Sequence, residues 1–219
     1  MAWAGFDRAV RAVQEHGLDG PVDRWRTIRD EIHREVCERG FDPARNTFTQ
    51  SYGHPALDAA LLLIPRAGFL AWDDPRVVGT VEAVQRNLCV EGFMLRYRPE
   101  HGSDDGLPGP EGAFLACSFW LVDALWGIGR TDAAQQLFAR LLALRNDVGL
   151  LAEECDPATG RHLGNTPQAF SLVGLVNSAR LLAGATTRTS ASVDNQRIAK
   201  PRSAPRPRRR DGDRASVDG

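Results

Sequence analysis

LLALRNDVGLLAEECDPATGRHLGNTPQAFS, residues 141–171, is the stretch on which the reading of this chain turns. Two adjacent carboxylates, Glu153 and Glu154, stand where a helical pattern stops. A turn-rich loop follows, with Asp156, Pro157, Gly160, Gly164, Asn165 and Pro167, and a second helical pattern opens near Gln168. Loops held between rigid helices are where chemistry tends to sit. A carboxylate at such a junction can face a cleft while packing fixes its backbone. On residue type alone, the simplest reading of the pair is solvated carboxylates on a surface loop.

Outward from that loop the chain reads as helix after helix. Residues 2–16 place Trp3, Phe6, Val10 and Val13 at helical spacing, and the pattern starts at once, which leads us to expect a missing upstream part. Residues 21–39 open on Pro21, carry Trp25, Ile28, Ile32 and Val36, and end at Gly40. Residues 55–64, PALDAALLLI, are apolar on most faces and are expected to form a helix buried all round. Residues 75–89 follow Asp73 and Asp74, both suited to capping, with Pro75 at the first turn. Further helices are expected at 111–128, 132–146 and 168–182, with Thr131 as a cap. NTFTQSY at 46–52 and GFMLRYR at 92–98 read as extended, and 99–110 as loop. The expectation is an all-α body of about seven helices over residues 1–182.

Residues 183–219 differ. They are rich in Arg, Pro and Ser, and carry nine Arg/Lys against four Asp/Glu, where residues 1–182 carry 18 against 24. Such a segment lacks the apolar residues to bury a core and is expected to be a disordered basic tail. An acidic body with a basic tail does not suit a nucleic-acid-binding domain. Only Lys200 among the 27 basic residues is lysine, a bias of a GC-rich genome rather than a binding surface. No stretch approaches the ~18 apolar residues of a membrane span, and the charged N-terminus does not read as a signal peptide. Cys37, Cys89, Cys117 and Cys155 lie outside CxxC spacing and no His stands at ligand spacing from them, so buried free thiols are expected, without metal or cofactor. Cytoplasm is the expected compartment.

Three blocks carry a resemblance. They are AWAGFDRAVRAVQEHG near the N-terminus, FTQSYGHPALDAALLLIPRAGFLAWDDPRVVGTVEAV at 48–84, and RYRPEHGSDDGLPGPEGAFLACSFWLVDAL with LLALRNDVGLLAEE and LGNTPQAFS after it. In this order they resemble glycoside hydrolase family 15, the glucoamylases and related trehalases. The resemblance implies an (α/α)6 toroid of six outer and six inner helices, here incomplete, with the active site at one end. It also implies inverting hydrolysis of an α-glucosidic bond, in which one carboxylic acid protonates the leaving oxygen and a second carboxylate activates water. Those two groups stand about 6.5–9.5 Å apart to leave room for the water.

On that resemblance Glu153 is the general base, since it follows Leu-Ala and precedes a second acidic residue, Glu154, which holds or tunes it. Arg96 and Tyr97 match the Arg-Tyr pair that contacts substrate; a guanidinium fork suits sugar hydroxyls, and a structural ion pair is the competing role. Glu111, read as opening the EGAF helix, has capping and sugar contact as alternatives. Trp120 has core packing and sugar stacking as alternatives. Asp58, inside an apolar run, reads first as a structural carboxylate that needs partners. Gln50 and Tyr52 are weaker cleft candidates.

The pattern also departs from the family. Its general acid lies in a Trp-Glu motif, and no Trp-Glu pair occurs in these 219 residues. Cys155 stands where an aromatic is usual, Thr166 where Phe is usual and Leu172 where His is usual. The chain is therefore expected to be the C-terminal part of a glucoamylase- or trehalase-type catalytic domain that is inactive alone. The alternatives are a non-catalytic carbohydrate-binding or regulatory half-toroid, and one half of a split enzyme. The expected partners are an α-glucoside or trehalose-type sugar, and either a second copy or a missing N-terminal half.

Overall fold

The structure, a computed structural model, describes residues 1–98 and 111–191, the last seven of these as backbone only. Six α-helices carry the fold: α1 (Ala2–His16), α2 (Val22–Arg39), α3 (Pro75–Leu88), α4 (Leu115–Gly127), α5 (Thr131–Ala143) and α6 (Ala169–Ala191). Seven two-residue strands make small antiparallel pairings between them: β1 (Phe41–Asp42) with β2 (Thr47–Phe48), β3 (Cys89–Val90) with β4 (Phe93–Met94), and β5 (Ala113–Phe114), β6 (Glu154–Cys155) and β7 (His162–Leu163) in one sheet.

Local chemistry explains most boundaries. Gly17 closes α1 in the left-handed conformation, φ 67°, which a Cβ would resist. Asp74 accepts a hydrogen bond from the Arg76 N–H and caps α3, whose first residue is Pro75. The Arg76 guanidinium also holds that carboxyl below its ordinary range. α1 packs on α2, where buried Asp7 receives Arg11 at 3.0 Å and Arg29 at 3.7 Å. The core lies around α4, which is wrapped by α3, α5 and the 59–63 turn. Phe119, Leu115 and Val122 are 0 % exposed.

Four expectations are corrected. The seventh helix, at 55–64, is a 3-10 turn over Ala59–Leu63. Asp58 ends the extended backbone there, and its Oδ1 accepts the Ala60 N–H at 2.7 Å, which tightens the turn. That turn is not buried all round, since Ala60 is exposed. α4 begins at Leu115 rather than 111, because Ala113 and Phe114 pair with Cys155 and Glu154 instead. Glu111 thus precedes the helix and does not cap it; Phe114 occupies that position. Thr131 is the first residue of α5, with Arg130 before it, and makes no cap hydrogen bond.

α6 continues past the expected limit of 182 to Ala191. The rest of the expected tail, from 192, lies outside the described residues, as does 99–110. Among the described residues, no helix is long and apolar enough to cross a membrane.

Candidate active site

Glu153 does not sit at a helix end, since α5 stops at Ala143. It sits at the head of the three-stranded sheet. Its C=O accepts from Leu115 N–H at 3.0 Å, and its N–H donates to Asn165 C=O at 2.9 Å. The backbone is therefore clamped between the start of α4 and the loop after β7. Glu153 Oε2 accepts from the Asn165 N–H at 3.2 Å and from Asn165 Nδ2 at 2.9 Å. Gly164 makes this approach possible: with φ 69°, it has no Cβ to meet Glu153 Oε2 at 2.9 Å. Oε1 makes no hydrogen bond among the described residues. One carboxylate oxygen is oriented and the other is unengaged among the described residues.

Successive side chains on extended backbone take opposite sides, and this separates the two glutamates. Glu153 lines a cleft of about 380 Å³, whose walls include Asp58, Arg96, Phe114, Cys117, Trp120, Gln168 and Phe170. Glu154 is not among the cleft-lining residues; its Oε2 accepts the Gly112 N–H at 2.7 Å and pins the segment leading into α4. Cys155 is fully buried between β5 and β7, and burial pushes its thiol up to about 11. The sheet closes over this small residue where the resemblance led us to expect an aromatic.

The other predicted site residues divide. Arg96 is exposed in the cleft and forms no ion pair among the described residues; its guanidinium carbon lies 5.4 Å from the Tyr97 ring centre. Tyr97 is buried and donates to Glu111 Oε1 at 3.2 Å, so the pair braces the wall behind Arg96. Trp120 is half-buried and faces the cleft, while its neighbour Phe119 is the core aromatic. Gln50 and Tyr52 are not among the residues lining it.

Asp58, read from sequence as structural, lines the cleft as well as capping its turn. Sequence reasoning also passed over Gln168 and Phe170 as cleft residues and Asn165 as the partner of Glu153. All three belong to the LGNTPQAFS run already singled out. Burial raises the Cys117 thiol to about 12, and Asp58, Glu111 and Glu154 raise it further while Arg96 opposes them. Cys117 lines the same cleft as Asp58 and Arg96. Among the described residues, no group of three His, Cys, Asp or Glu side chains is placed to hold a metal.

The model of glycosyl hydrolases family 15 matches residues 1–180. The chain belongs to that family. Among its curated relatives, a trehalase of Mycobacterium tuberculosis is 43% identical over 205 residues, covering 94% of this chain and 29% of the relative. A trehalase of Mycolicibacterium smegmatis is 47% identical over 178 residues, covering 81% of this chain and 26% of the relative. The family 15 chain thus spans less than a third of the length of these relatives. A solved glycosidase in complex with glucose superposes with a TM-score of 0.69 at 20% identity, covering 83% of this chain and 50% of that one. That likeness gives the family 15 chain its architecture: the helices described above form part of an (α/α)6 toroid.

Proposed function

We propose that this chain carries the general-base side of an inverting hydrolase for an α-glucosidic bond, with trehalose as the first substrate to test. The observation that carries the reading is Glu153 itself, with one oxygen fixed by Asn165 and the other unengaged, in a cleft that also holds Arg96. In that role Glu153 takes a proton from water as the water attacks the anomeric carbon. The leaving oxygen needs a proton from a second carboxylic acid across the cleft. No Trp-Glu pair in these 219 residues matches the family's acid, so we place that acid outside this sequence. Arg96 donates to sugar hydroxyls and Trp120 offers a face for stacking.

A missing general acid removes on the order of 10²–10⁴-fold in rate. The purified chain is therefore expected to give no turnover on trehalose, maltose or starch oligosaccharides. Turnover that disappears on Glu153→Gln would support the base and overturn the need for an outside acid. We take the cytoplasm as the compartment, a reading that four unpaired cysteines support.

A second reading concerns assembly, and one face of α6 favours it. Phe170, Val173 and Val176 are 74%, 56% and 52% exposed along one side of that helix. Three large apolar residues on one turn-spaced face suit packing against further helices. We propose that a helical partner supplied by another chain, or a second copy of this one, covers the face. Co-expression with a chain bearing a Trp-Glu acid motif should then restore hydrolysis. Light scattering that stays monomeric across the concentration range would remove the second-copy form of the idea.

A further inference from the structure

The Asp58 side chain has two oxygens in different situations. Oδ1 accepts the Ala60 N–H at 2.7 Å and caps the 3-10 turn. Oδ2 has no hydrogen bond or ion pair among the described residues. An aspartate needed only as a cap is common and needs no cleft. This one lines the same cleft as Glu153 and Arg96. Its backbone is tied to Arg96 as well: Ala59 N–H donates to Arg96 C=O at 2.8 Å, which joins the segments bearing Asp58 and Arg96.

That coupling places an acceptor and a donor on the walls of one cleft. A sugar hydroxyl is both donor and acceptor, and a pair of hydroxyls engaged by a carboxylate and a guanidinium satisfies each with its complement. We infer that Asp58 is a sugar-binding residue of this cleft: its free oxygen accepts from a hydroxyl of a gluco-configured ring while its other oxygen stays on the Ala60 N–H. The inference rests on the proposed sugar chemistry of the Glu153 cleft and adds a residue to it. Asp58 moves no proton in this scheme. It fixes which hydroxyls the ring must present, and so acts on binding and on choice of sugar.

The capping and binding roles separate by substitution. Asp58→Asn keeps an oxygen for the Ala60 N–H, since Asn caps as well as Asp, but replaces the free anionic oxygen with a donor. The full chain is titrated with trehalose and with glucose by calorimetry, with thermal unfolding run alongside. Wild type is expected to bind, and Asp58→Asn to bind roughly 10- to 100-fold more weakly, as for loss of a hydrogen bond to a charged group, with an unchanged Tm. Arg24→Ala, exposed on α2 and away from the cleft, serves as the control and should bind close to wild type. Equal binding by wild type and Asp58→Asn would overturn the role of Asp58 and leave the sugar reading standing. No binding of either sugar by wild type would overturn both. A mannose- or galactose-configured ring bound as well as glucose by wild type would also count against Asp58 as a selector.

Discussion

α4 and α6 lie side by side, yet they meet their surroundings in opposite ways. α4 buries residues on every side, from Leu115 and Phe119 to Val122 and Leu125. Its polar members are matched: Ser118 receives the Met94 N–H, and Asp123 accepts from Arg66 and Ser178. α6 fully buries small residues, packs Leu172 and Leu175 partly against the core, and exposes other large side chains. Ser171, Gly174 and Ser178 face inward, while Phe170, Val173 and Val176 face out. Ser171 donates to Ala152 C=O at 2.7 Å and Ser178 to Asp123 Oδ1 at 2.6 Å. The difference teaches that a helix can be docked by fit and hydrogen bonds on one side while large apolar residues stay exposed on the other.

Four substitutions break or sharpen that contrast. Phe119→Ala should have the largest effect, since the ring is 0 % exposed and lies directly under Gly174. Removing a buried Phe costs about 3–5 kcal/mol, read as a lowered urea midpoint, and should loosen α6 along with the core. Gly174→Ala comes next. An added Cβ would stand 2.9 Å from Phe119 Cβ, which a flexible tip cannot relieve. Overpacking of this kind costs about 1–3 kcal/mol. A neutral result would mean that α6 rides more loosely on α4 than its hydrogen bonds imply.

Asp123, which ties the two helices, gives a smaller effect that depends on pH. Burial raises its carboxyl above the ordinary 3.8, against the pull of Ser178 and Arg66. A raised folded pKa means the folded state binds the proton more tightly than the unfolded chain. The contribution is thus full below the ordinary value and lost as pH rises through the raised one. Wild type should therefore gain in Tm relative to Asp123→Asn as pH falls from about 7 to about 4. The opposite trend would mean that Arg66 outweighs burial.

Val173→Ser should have the smallest effect on stability, within about 0.5 kcal/mol for an exposed position. Its consequence belongs to association: the particle size in light scattering should fall if this face is covered by another copy. A loss of stability comparable with Gly174→Ala would instead show that Val173 already packs within the chain.

The base candidate was legible because its chemistry is local in sequence. Glu153, Gln168 and Phe170 of the cleft wall, and Asn165 that holds Glu153, all fall within residues 141–171, although of these only Glu153 reads from the sequence as a site residue. That Asp58 caps a short 3-10 turn and also lines the cleft was not legible, because its neighbours are apolar. A run such as PALDAALLLI satisfies helical periodicity, and nothing local says that Asp58 will cap a short 3-10 turn instead. Glu111 was misplaced for a related reason. EGAF looks like a first helical turn, but Ala113 and Phe114 are drawn into strand pairing by residues some forty positions later.

The sequence by itself determined the family, the helical class and the base candidate, because these rest on residue identity and on periodicity along the chain. It also determined that no Trp-Glu pair is present, which is a matter of reading letters. Only the tertiary structure decided that Glu153 faces the cleft and Glu154 turns to Gly112, and that Asp58 lines the same cleft. The same holds for the outward face of α6. Each of these depends on which surface meets which, and the partners that settle it are distant in sequence and close only in the folded chain.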